Sequence, residues 1–350
     1  MTATIRDVAA RARVSVATVS RVVNRSPHRV HPATRRRVLA AVRALGYDAN
    51  IIAQGLKKRT TRTVALIVPD ISNPFFPAIA RGIEDAARAR GYAVLLCNTY
   101  EDLDRERDYL TLLAKRMVDG VIFATVGSNT AHLRALRREA RPVVLVARGV
   151  EGLRIDTVLV DNYRGEFEAT SHLLALGHRR IAHVTGPGSL HVAAERRRGY
   201  LEALAAAGLP PGEAIIVEGD FAAEGGRRAV RELLDRAVSF TAVAAANDLM
   251  AIGAIEALRA GGRRVPEDVA VVGFDDITFA SVVSPALTTV AQPKYRMGQL
   301  AMERLLQLMD GIDRSPRQTI LSPQLVIRDS CGARSAPGVP GSSAGKVVGI

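Results

Sequence analysis

The sequence lacks the features that mark secreted, disulfide-bonded and membrane-spanning proteins. Its two cysteines, Cys97 and Cys331, are separated by most of the chain, which excludes a disulfide framework and a thiolate metal site. No apolar run approaches the ~18 to 20 residues that a membrane span needs, and the first residues, MTATIRDVAARAR, contain no signal-peptide apolar region. Because 48% of the residues are hydrophobic, the chain can still bury a sizeable core. We therefore expect a cytoplasmic globular protein of two or three domains.

Acidic residues are nearly absent from one end of the chain. Residues 1–62 contain 14 of the 48 Lys and Arg residues but only two of the 35 acids, Asp7 and Asp48, and so carry a net charge of +12. The other residues supply only +1 of the total of +13. This asymmetry indicates a polyanion-binding module joined to an electrically balanced body. The module has a single aromatic residue, Tyr47, and no apolar face to embed in lipid, so nucleic acid is the favoured partner over a membrane.

The spacing of apolar residues in this basic module predicts three short helices. Apolar side chains recur at helical spacing over residues 5–12 and 16–23, with a break at residues 13–14. A third helix is predicted over residues 32–45, with proline in its first turn. This arrangement predicts a helix-turn-helix DNA-binding domain over residues 1–49. The alternative is a three-helix bundle that binds proteins and has a solvated basic face.

The second helix of a helix-turn-helix places its first residues at base edges in the major groove. The predicted base-reading residues are Val16, Ala17 and Arg21, because arginine pairs with guanine and apolar groups contact the thymine methyl group. Ser15 is predicted to cap this helix and belongs to the same DNA-binding set. Contacts to phosphates, which position the protein without reading sequence, are predicted for Thr18, Ser20 and Asn24.

The basic module strongly resembles the head of LacI/GalR-type bacterial repressors. The resemblance is carried by IRDVAARARVSVATVSRVVN and by the later segments TRRRV and LGYDAN. One departure is Arg13, where the family usually has glycine; a left-handed conformation there costs a non-glycine residue ~1 to 2 kcal/mol. The resemblance implies that residues 50–62 are a hinge helix and linker, with Asn50, Ala53 and Leu56 at the DNA and Leu56 wedged into the minor groove. A plain flexible linker is the alternative.

Beyond residue 62, short apolar segments alternate with helical ones. Continuous hydrophobic runs are typical of buried parallel strands, and their alternation with helices predicts an α/β body of two doubly wound sheets. The predicted helices in the first half lie near residues 75–91 and 104–117. The predicted strands span residues 64–69, 93–97, 120–124, 143–147, 181–186, 214–219, 242–247 and 269–274.

Polar and aromatic side chains directly follow several of these strands. Ligands of open α/β sheets bind beyond the carboxyl ends of the strands, so these side chains are candidate ligand contacts. An amide, a carboxylate and a guanidinium around an aromatic face suit a small hydroxylated ring, which predicts a sugar or nucleobase pocket. For single residues a structural role is the alternative. Asp161 and Asp248 are possible helix caps, and Phe75 and Phe76 are possible core residues.

The resemblance continues to about residue 330 and implies the type I periplasmic-binding-protein fold. It rests on GHRRIAHVTGP, ERRRGYLEAL, VAAANDLMAIGAIEAL, VAVVGFDDI and PALTTVAQP. It implies an N-terminal lobe of residues 63–161 and 292–320 and a C-terminal lobe of residues 162–290 and 321–330. One departure from the family is Ala147, because the family often has an acid directly before the arginine that Arg148 matches. The resemblance does not indicate which ligand hydroxyl that acid would bind. The implied effector contacts are Asn73, Phe75, Arg148, Arg196, Phe221, Asn247, Asp275 and Gln292.

No catalytic, metal or cofactor site is predicted. The glycine-rich Gly186-Pro187-Gly188-Ser189 lacks both the Walker lysine and the G-x-G-x-x-G spacing, no G-x-S-x-G motif is present, and the histidines form no H-x-x-x-H pair. Residues 331–350 are rich in Gly, Ser, Ala and Pro, which predicts a disordered tail. That tail contains no leucine heptad, so a homodimer is expected rather than a tetramer.

The sequence therefore predicts a homodimeric, sequence-specific transcription regulator. We expect it to repress by binding a near-palindromic DNA operator, under the control of a small effector, most simply a sugar or sugar derivative. One alternative is a purine- or nucleoside-responsive regulator of the same family. The other is a sugar-binding or sugar-processing α/β protein whose basic head is incidental.

Overall fold

The computed structural model divides the chain into two compact units, Met1–Arg62 and Thr63–Ile350. The structure describes residues 3–23, 30–47, 60–100, 102–114, 118–124, 133, 141–150, 152–313 and 315–333. Four of the predicted DNA-contacting residues lie outside these ranges: Asn24, Asn50, Ala53 and Leu56.

The first unit, the head, contains the three helices that the apolar spacing predicts. They are α1 (Ile5–Ala12), α2 (Val16–Val23) and α3 (Pro32–Leu45). A capping box starts α1, because the Thr4 side chain and the Asp7 carboxylate each accept a hydrogen bond from the other residue's backbone N–H. The core of the head consists of small side chains: Val8, Ala9, Ala12, Val19, Val22, Val38 and Ala41.

The turn between α1 and α2 is left-handed at Arg13, which has φ 52° and ψ 53°. The backbone N–H of Arg13 donates to the Ala10 carbonyl at 3.1 Å, and that of Val14 donates to the Ala9 carbonyl at 3.0 Å. Ser15 Oγ then accepts from the backbone N–H of Thr18 at 3.2 Å, as predicted for a cap of α2. The head thus tolerates a non-glycine residue in a conformation that favours glycine.

The second unit, the body, contains two six-stranded sheets with the same winding. The first has the order β11-β5-β4-β3-β1-β2 and the second β12-β10-β9-β8-β6-β7. Its helices are α4 (Phe75–Ala89), α5 (Leu103–Ala114), α6 (Asn162–Ala175), α7 (His191–Ala206), α8 (Ala223–Asp235), α9 (Asp248–Ala260) and α10 (Lys294–Met309). Its strands are β1 (Thr63–Val68), β2 (Ala93–Asn98), β3 (Gly120–Phe123), β4 (Val143–Val146), β5 (Asp156–Val160), β6 (Ile181–Thr185), β7 (Ile215–Glu218), β8 (Ala242–Ala245), β9 (Ala270–Asp275), β10 (Thr288–Ala291), β11 (Gln318–Leu321) and β12 (Gln324–Val326).

Helices pack on both faces of the first sheet and bury both faces of its central strands. In β1, Leu66 packs into the cluster that contains α4 and α10, whereas Ile67 packs on the other face with Leu110 and Leu113 of α5. The helices α4 and α10 approach so closely that a Cβ atom on Gly298 would lie 2.1 Å from the Ile79 carbonyl oxygen. This contact fixes α10, which comes late in the chain, on the N-terminal lobe.

The fold agrees with the predicted pair of doubly wound sheets, with two differences. The edge strand β12 pairs antiparallel with β10, so the second sheet is not entirely parallel. The predicted tail also begins too early, because Cys331 is 2% exposed and Ala333 is 6% exposed in the core of the C-terminal lobe. The Thr288 hydroxyl donates to Cys331 Sγ at 3.1 Å. The small and polar residues around Cys331 suggest a tail, but Cys331 itself is buried in the core, because a free cysteine packs as a small hydrophobic residue.

Candidate functional site

In the head, the exposed face of α2 carries the residues predicted to read bases. Val16 is 42% exposed, and Ala17 and Arg21 are exposed too, whereas Val19 and Val22 are buried against the other helices. Ser15 is also exposed, and its hydroxyl lies 2.9 Å from that of Thr18. Thr18 and Ser20 are half-buried. The helix therefore presents outward the surface that a major groove would meet, and the individual base contacts remain predictions.

The surface of the head is rich in positive charge. Arg6 on α1 and the consecutive Arg35, Arg36 and Arg37 on α3 are all exposed. The N-terminus of α2 adds a partial positive charge through its backbone N–H groups, which suits a phosphate. Exposed guanidinium groups on so small a unit attract a polyanion over several ångströms.

In the body, a cleft lies between the two lobes at the carboxyl ends of their strands. The cleft is narrow and partly open to solvent, with about 40 Å³ of space for the centre of a water-sized sphere. Seven of the eight predicted effector contacts line it, and the eighth, Gln292, lies behind one of them. The lining residues are Asn73, Phe75, Phe76, Ala147, Arg148, Val192, Arg196, Phe221, Asn247 and Asp275. The strand order reverses beside β1 and beside β6, where a doubly wound sheet places its ligand.

The loop after β1 supplies an aromatic wall. Asn73 Oδ1 accepts from the backbone N–H of Phe75 at 3.0 Å, which closes a turn directly before α4. Phe75 and Phe76 follow at the start of α4 and pack edge to face, with ring centroids 5.1 Å apart. Both rings are largely buried, so they belong to the core and also form part of the cleft wall.

A second aromatic residue of the cleft, Phe221, is held in place by Asn247, which is itself a predicted ligand contact. Phe221 has φ 64°, and its carbonyl accepts a hydrogen bond from Asn247 Nδ2 at 2.8 Å. Asn247 Oδ1 caps α9 by accepting from the backbone N–H of Met250 at 2.9 Å. The ring lies on Gly186, where a Cβ atom would be 2.1 Å from it. Asn247 therefore orders the cleft wall through contacts within the protein.

Arg196 is the most constrained charge in the cleft. Its Nε donates to Asn162 Oδ1 at 2.9 Å, one terminal nitrogen donates to the Ala246 carbonyl, and the other lies 3.8 Å from Asp275 Oδ1. Its guanidinium carbon lies 3.7 Å from the centre of the Phe274 ring, within the range of a cation–π interaction. Burial lowers the pKa of Arg196, and the Asp275 carboxylate opposes that shift. These contacts hold the guanidinium in one orientation.

Asp275 is the only carboxylate among the described residues that line the cleft. Burial raises its pKa to about 6, and the positive charges of Arg196 and Lys294 and the hydrogen bond from Gln292 oppose the shift. Gln292 Nε2 donates to Asp275 Oδ1 at 2.7 Å, and Lys294 Nζ donates to the Asp276 carbonyl at 2.8 Å. Gln292 therefore positions Asp275 from behind the cleft wall.

Part of the backbone strain of the body lies at this cleft. Three lining residues that are not glycine have positive φ angles: Ala147 at 64°, Phe221 at 64° and Asp275 at 120°. Such conformations cost of order 1 to 3 kcal/mol each and persist only where surrounding contacts hold them. Their grouping at one cleft is an independent indication that it is a functional site.

The list of predicted effector contacts omits three lining residues, Phe76, Ala147 and Val192. Val192 precedes Arg196 by four residues on α7, so helical spacing places both on one face of that helix. Phe76 and Ala147 adjoin predicted contacts in the chain. By contrast, Asp161 and Asp248 stay outside the lining. Asp161 caps α6 by accepting from the Arg164 N–H at 2.9 Å, and Asp248 accepts from the Ile277 N–H at 2.8 Å.

Within the described part of the chain, no group of three or more His, Cys, Asp or Glu side chains is arranged to hold a metal ion. No helix of that part is long and apolar enough to cross a membrane.

Two family models match the chain in the regions just described. Residues 4–50 match the bacterial regulatory proteins, lacI family, and residues 170–331 match the periplasmic binding protein-like domain. A relative along nearly the whole length is the HTH-type transcriptional regulator DegA of Bacillus subtilis (strain 168), which is 38% identical over 94% of this chain and 98% of its own length. The chain belongs to the lacI family of bacterial regulatory proteins.

Solved structures of transcription regulators match nearly the whole chain. A complex of the transcriptional regulator CelR with cellobiose is 39% identical, covers 94% of this chain and 99% of its own, and gives a TM-score of 0.73. The Lac repressor dimer bound to operator and the anti-inducer ONPF is 30% identical, covers 95% of this chain and 99% of its own, and gives a TM-score of 0.84. The chain is thus a DNA-binding transcriptional regulator with an effector-binding body, and the predicted family and fold are confirmed.

Proposed function

We propose that this lacI-family regulator is a cytoplasmic repressor whose hold on its operator is set by a sugar-like molecule in the cleft between the lobes. The observation that carries the proposal is the lining of the cleft. Both lobes contribute an aromatic ring and an arginine, Phe75 and Arg148 from one and Phe221 and Arg196 from the other. Rings that stack on an apolar sugar face, beside polar groups that pair with hydroxyls, suit a small carbohydrate.

Because both lobes supply contacts, a bound molecule favours the lobe arrangement in which all of those contacts form at once. A ligand shifts such an equilibrium only by its differential affinity for the two arrangements. A coupling of ~1 to 3 kcal/mol changes DNA affinity by about 5- to 150-fold. The hinge segment that transmits the change, with Leu56 in the minor groove, is proposed from the family resemblance and lies outside the described residues.

We propose that the repressor acts as a homodimer on a near-palindromic operator. Apolar side chains of the body support this. Leu95 and Leu96 on the edge strand β2 are 40% and 43% exposed, and Phe279 and Val282 are 50% and 71% exposed. Exposed apolar side chains of this size, when grouped, mark interaction surfaces. A dimer also matches the two half-sites of a palindrome, one head to each half.

Selection of duplexes from a random DNA library by the full-length protein tests this function. We expect enrichment of one near-palindromic sequence, and we expect the Arg21→Gln variant to lose preference at one position in each half-site.

A screen of sugars, purine bases and nucleosides by thermal shift then identifies the effector class. A ligand at 100 times its dissociation constant adds about 2.7 kcal/mol to the free energy of unfolding. Stabilisation by purines alone would favour a purine-responsive regulator.

A further inference from the structure

The backbone that carries Asp275 into the cleft has an unusual conformation. Asp275 ends β9 with a φ of 120°, and the next residue, Asp276, has a φ of 52°. Two consecutive residues that are not glycine are strained at such angles, and the strain persists only where surrounding contacts hold it. The direction in which the Asp275 carboxylate points therefore depends on the contacts made to these two residues, the β9 turn.

Three contacts to the β9 turn come from the C-terminal lobe and from the crossover between the lobes. A terminal nitrogen of Arg328 donates to Asp276 Oδ1 at 2.6 Å. The Asp276 N–H donates to Thr289 Oγ1 at 3.3 Å, and Gln292 Nε2 donates to Asp275 Oδ1 at 2.7 Å. These contacts hold one N–H group and both carboxylates of the turn.

The N-terminal lobe holds the carbonyl oxygens of the same turn. Lys294 Nζ donates to the Asp276 carbonyl at 2.8 Å and also donates to the Asp275 carbonyl. Lys294 is the first residue of α10, the helix that Gly298 fixes on the N-terminal lobe. An ammonium group has three donors, so one side chain can bind both carbonyls at once. Lys294 therefore joins the start of a helix in one lobe to the end of a strand in the other.

The stability of α10 does not explain a lysine at this position. The free N–H groups in the first turn of a helix carry a partial positive charge, which disfavours a cation there. The first turn of α10 contains no acidic residue to offset that charge. Lys294 is also half-buried, and burial of an ammonium group costs free energy unless the group is hydrogen-bonded. The two carbonyl oxygens of the β9 turn are the partners that make the position favourable.

We infer that Lys294 is a positioning residue of the effector site, which makes the direction of Asp275 depend on the arrangement of the two lobes. This inference rests on the proposed function and concerns its regulation. The ammonium group belongs to one lobe and the β9 turn to the other, so a change in lobe arrangement alters both contacts together. Without these contacts the strained turn relaxes and turns the carboxylate away from the ligand. A ligand that binds Asp275 then favours the arrangement in which Lys294 reaches the turn.

Hydrogen–deuterium exchange of the full-length protein, measured by mass spectrometry, tests this role without a ligand. Lys294→Met keeps the length of the side chain and removes its donors. It should speed exchange in the peptide that contains the β9 turn and Ile277, whose N–H donates to Asp248 Oδ2 at 2.8 Å. The matched control is Arg296→Met, which removes an exposed cation from the same helix and should leave this exchange unchanged. Equal exchange in the native protein and in Lys294→Met would overturn the inference.

Effector affinity tests whether Lys294 acts through Asp275. The probe is whichever of glucose, ribose, adenine and adenosine raises the unfolding temperature most, and isothermal titration measures its dissociation constant. Lys294→Met should weaken the probe about ten-fold or more, as expected for loss of a hydrogen bond from a charged group. In the Asp275→Asn background the same substitution should weaken it less than about two-fold. Equal losses in both backgrounds would overturn the positioning role, because residues that act independently give additive effects.

Two controls accompany the titrations. Lys294→Arg, which keeps the charge and the donors, should recover part of the lost affinity, and Arg296→Met should bind the probe as the native protein does. Circular dichroism establishes that each variant is folded. A loss in Arg296→Met as large as that in Lys294→Met would show that any cation of this helix matters, and would overturn the assignment to Lys294.

Failure of this inference is distinguishable from failure of the proposed function. If Phe221→Ala loses a sugar probe that Lys294→Met binds as tightly as the native protein, the cleft is a sugar site and only the role of Lys294 is wrong. If no probe binds, the proposed class of effector is wrong. Hydrogen exchange then decides whether Lys294 holds the β9 turn.

Discussion

Arginine side chains have opposite environments in the two units of this regulator. In the head, Arg21 and Arg35 are exposed around a core of small residues. In the cleft of the body, Arg148 and Arg196 are buried, and Arg196 is held by three oxygen atoms. Exposed charges attract a polyanion at long range and are screened by salt, whereas buried charges fix the position of one small partner.

The difference shows how one residue type serves two kinds of recognition. A duplex is a large, regular array of charge, so the head needs many mobile cations and few fixed ones. A small effector offers few groups, so each cation of the cleft must be pre-positioned by its neighbours. Substitutions of the exposed arginines in the head should therefore alter DNA affinity with little effect on folding, and substitutions of the buried arginines in the cleft should alter both effector affinity and folding.

The largest effect is expected at Arg196. Replacement by methionine leaves Asp275 buried without its guanidinium and removes the donor to Asn162 and to the Ala246 carbonyl. Loss of one member of a buried pair costs ~3 to 5 kcal/mol of the free energy of unfolding. Urea denaturation at pH 8 measures this loss, with Arg236→Met as the exposed control. At pH 5 the loss should be smaller, because Asp275 becomes protonated. A pH-independent loss below ~1 kcal/mol would contradict this account of the pair.

The second effect is a dependence of stability on pH that the buried Glu166 and His183 control. Their side chains lie 3.5 Å apart. Burial raises the pKa of Glu166 to about 8, so between pH 4.5 and 8 the native state keeps a proton that the unfolded chain releases. Stability therefore falls as pH rises through this window. Burial lowers the pKa of His183 to about 3, so stability also falls as pH drops from 6.5 to 3. Each slope is at most ~1.4 kcal/mol per pH unit.

Chemical denaturation from pH 4 to 9 measures both slopes. Between pH 4.5 and 6.5 the two slopes oppose each other. Glu166→Gln, which cannot ionise, should therefore flatten the fall of stability above pH 6.5 and reveal a rise of stability with pH between 4.5 and 6.5. His183→Gln should keep the fall above pH 6.5 and extend it down to pH 4.5. An alkaline slope that survives in Glu166→Gln would assign the released proton to another group. This dependence belongs to the body, so it should persist when residues of the head are substituted.

A smaller change in free energy is expected for a substitution at Arg21, which tests DNA recognition by the head. The Arg21→Gln variant should lose ~1 to 3 kcal/mol of discrimination between the operator and a variant operator, because a bidentate contact to guanine is removed. Its unfolding should be unchanged, since Arg21 is exposed. Fluorescence anisotropy with both duplexes at two salt concentrations measures this. An equal loss on both duplexes would show that Arg21 contacts phosphate and reads no base.

The smallest effect concerns two left-handed residues in the head, Arg13 with φ 52° and Gly46 with φ 57°. Arg13→Gly should raise the stability of the head by up to ~1 kcal/mol, because relief of strain exceeds the entropy that glycine adds to the unfolded chain. Gly46→Ala should lower it by ~1 kcal/mol or more for the opposite reason. Differential scanning calorimetry of the full chain compares the two. Changes of equal sign would contradict this explanation.

Much of the fold follows from local pattern. The helices of the head were predictable because small apolar residues recur at helical spacing, with caps at their ends. The central strands of the body were predictable because they are continuous apolar runs. The strand β5 escapes this pattern, since it begins with the buried Asp156 and Thr157. Asp156 is tolerated because Arg304 of α10 donates to it at 2.5 Å, a contact between residues far apart in the chain.

The predictability of the site has a similar limit. The rule that ligands bind after the strands identifies Asn73, Asn247 and Asp275 from local sequence. It does not indicate that Asn247 caps a helix and holds Phe221, or that Gln292 acts on Asp275 from behind, because these contacts join distant segments. The exposed edge strands β11 and β12 were equally difficult to predict, since neither short segment contains a buried residue.

Linkage between cleft and operator is the central claim, and the affinity of the full-length protein for its selected operator tests it most directly. The affinity is measured with and without the tightest-binding ligand found in the thermal-shift screen, in the native sequence and in Phe221→Ala. We expect the ligand to change operator affinity about 5- to 150-fold in the native sequence and to have no effect in Phe221→Ala, while both bind the operator equally without ligand. A ligand that occupies the cleft and leaves operator affinity unchanged would contradict the account.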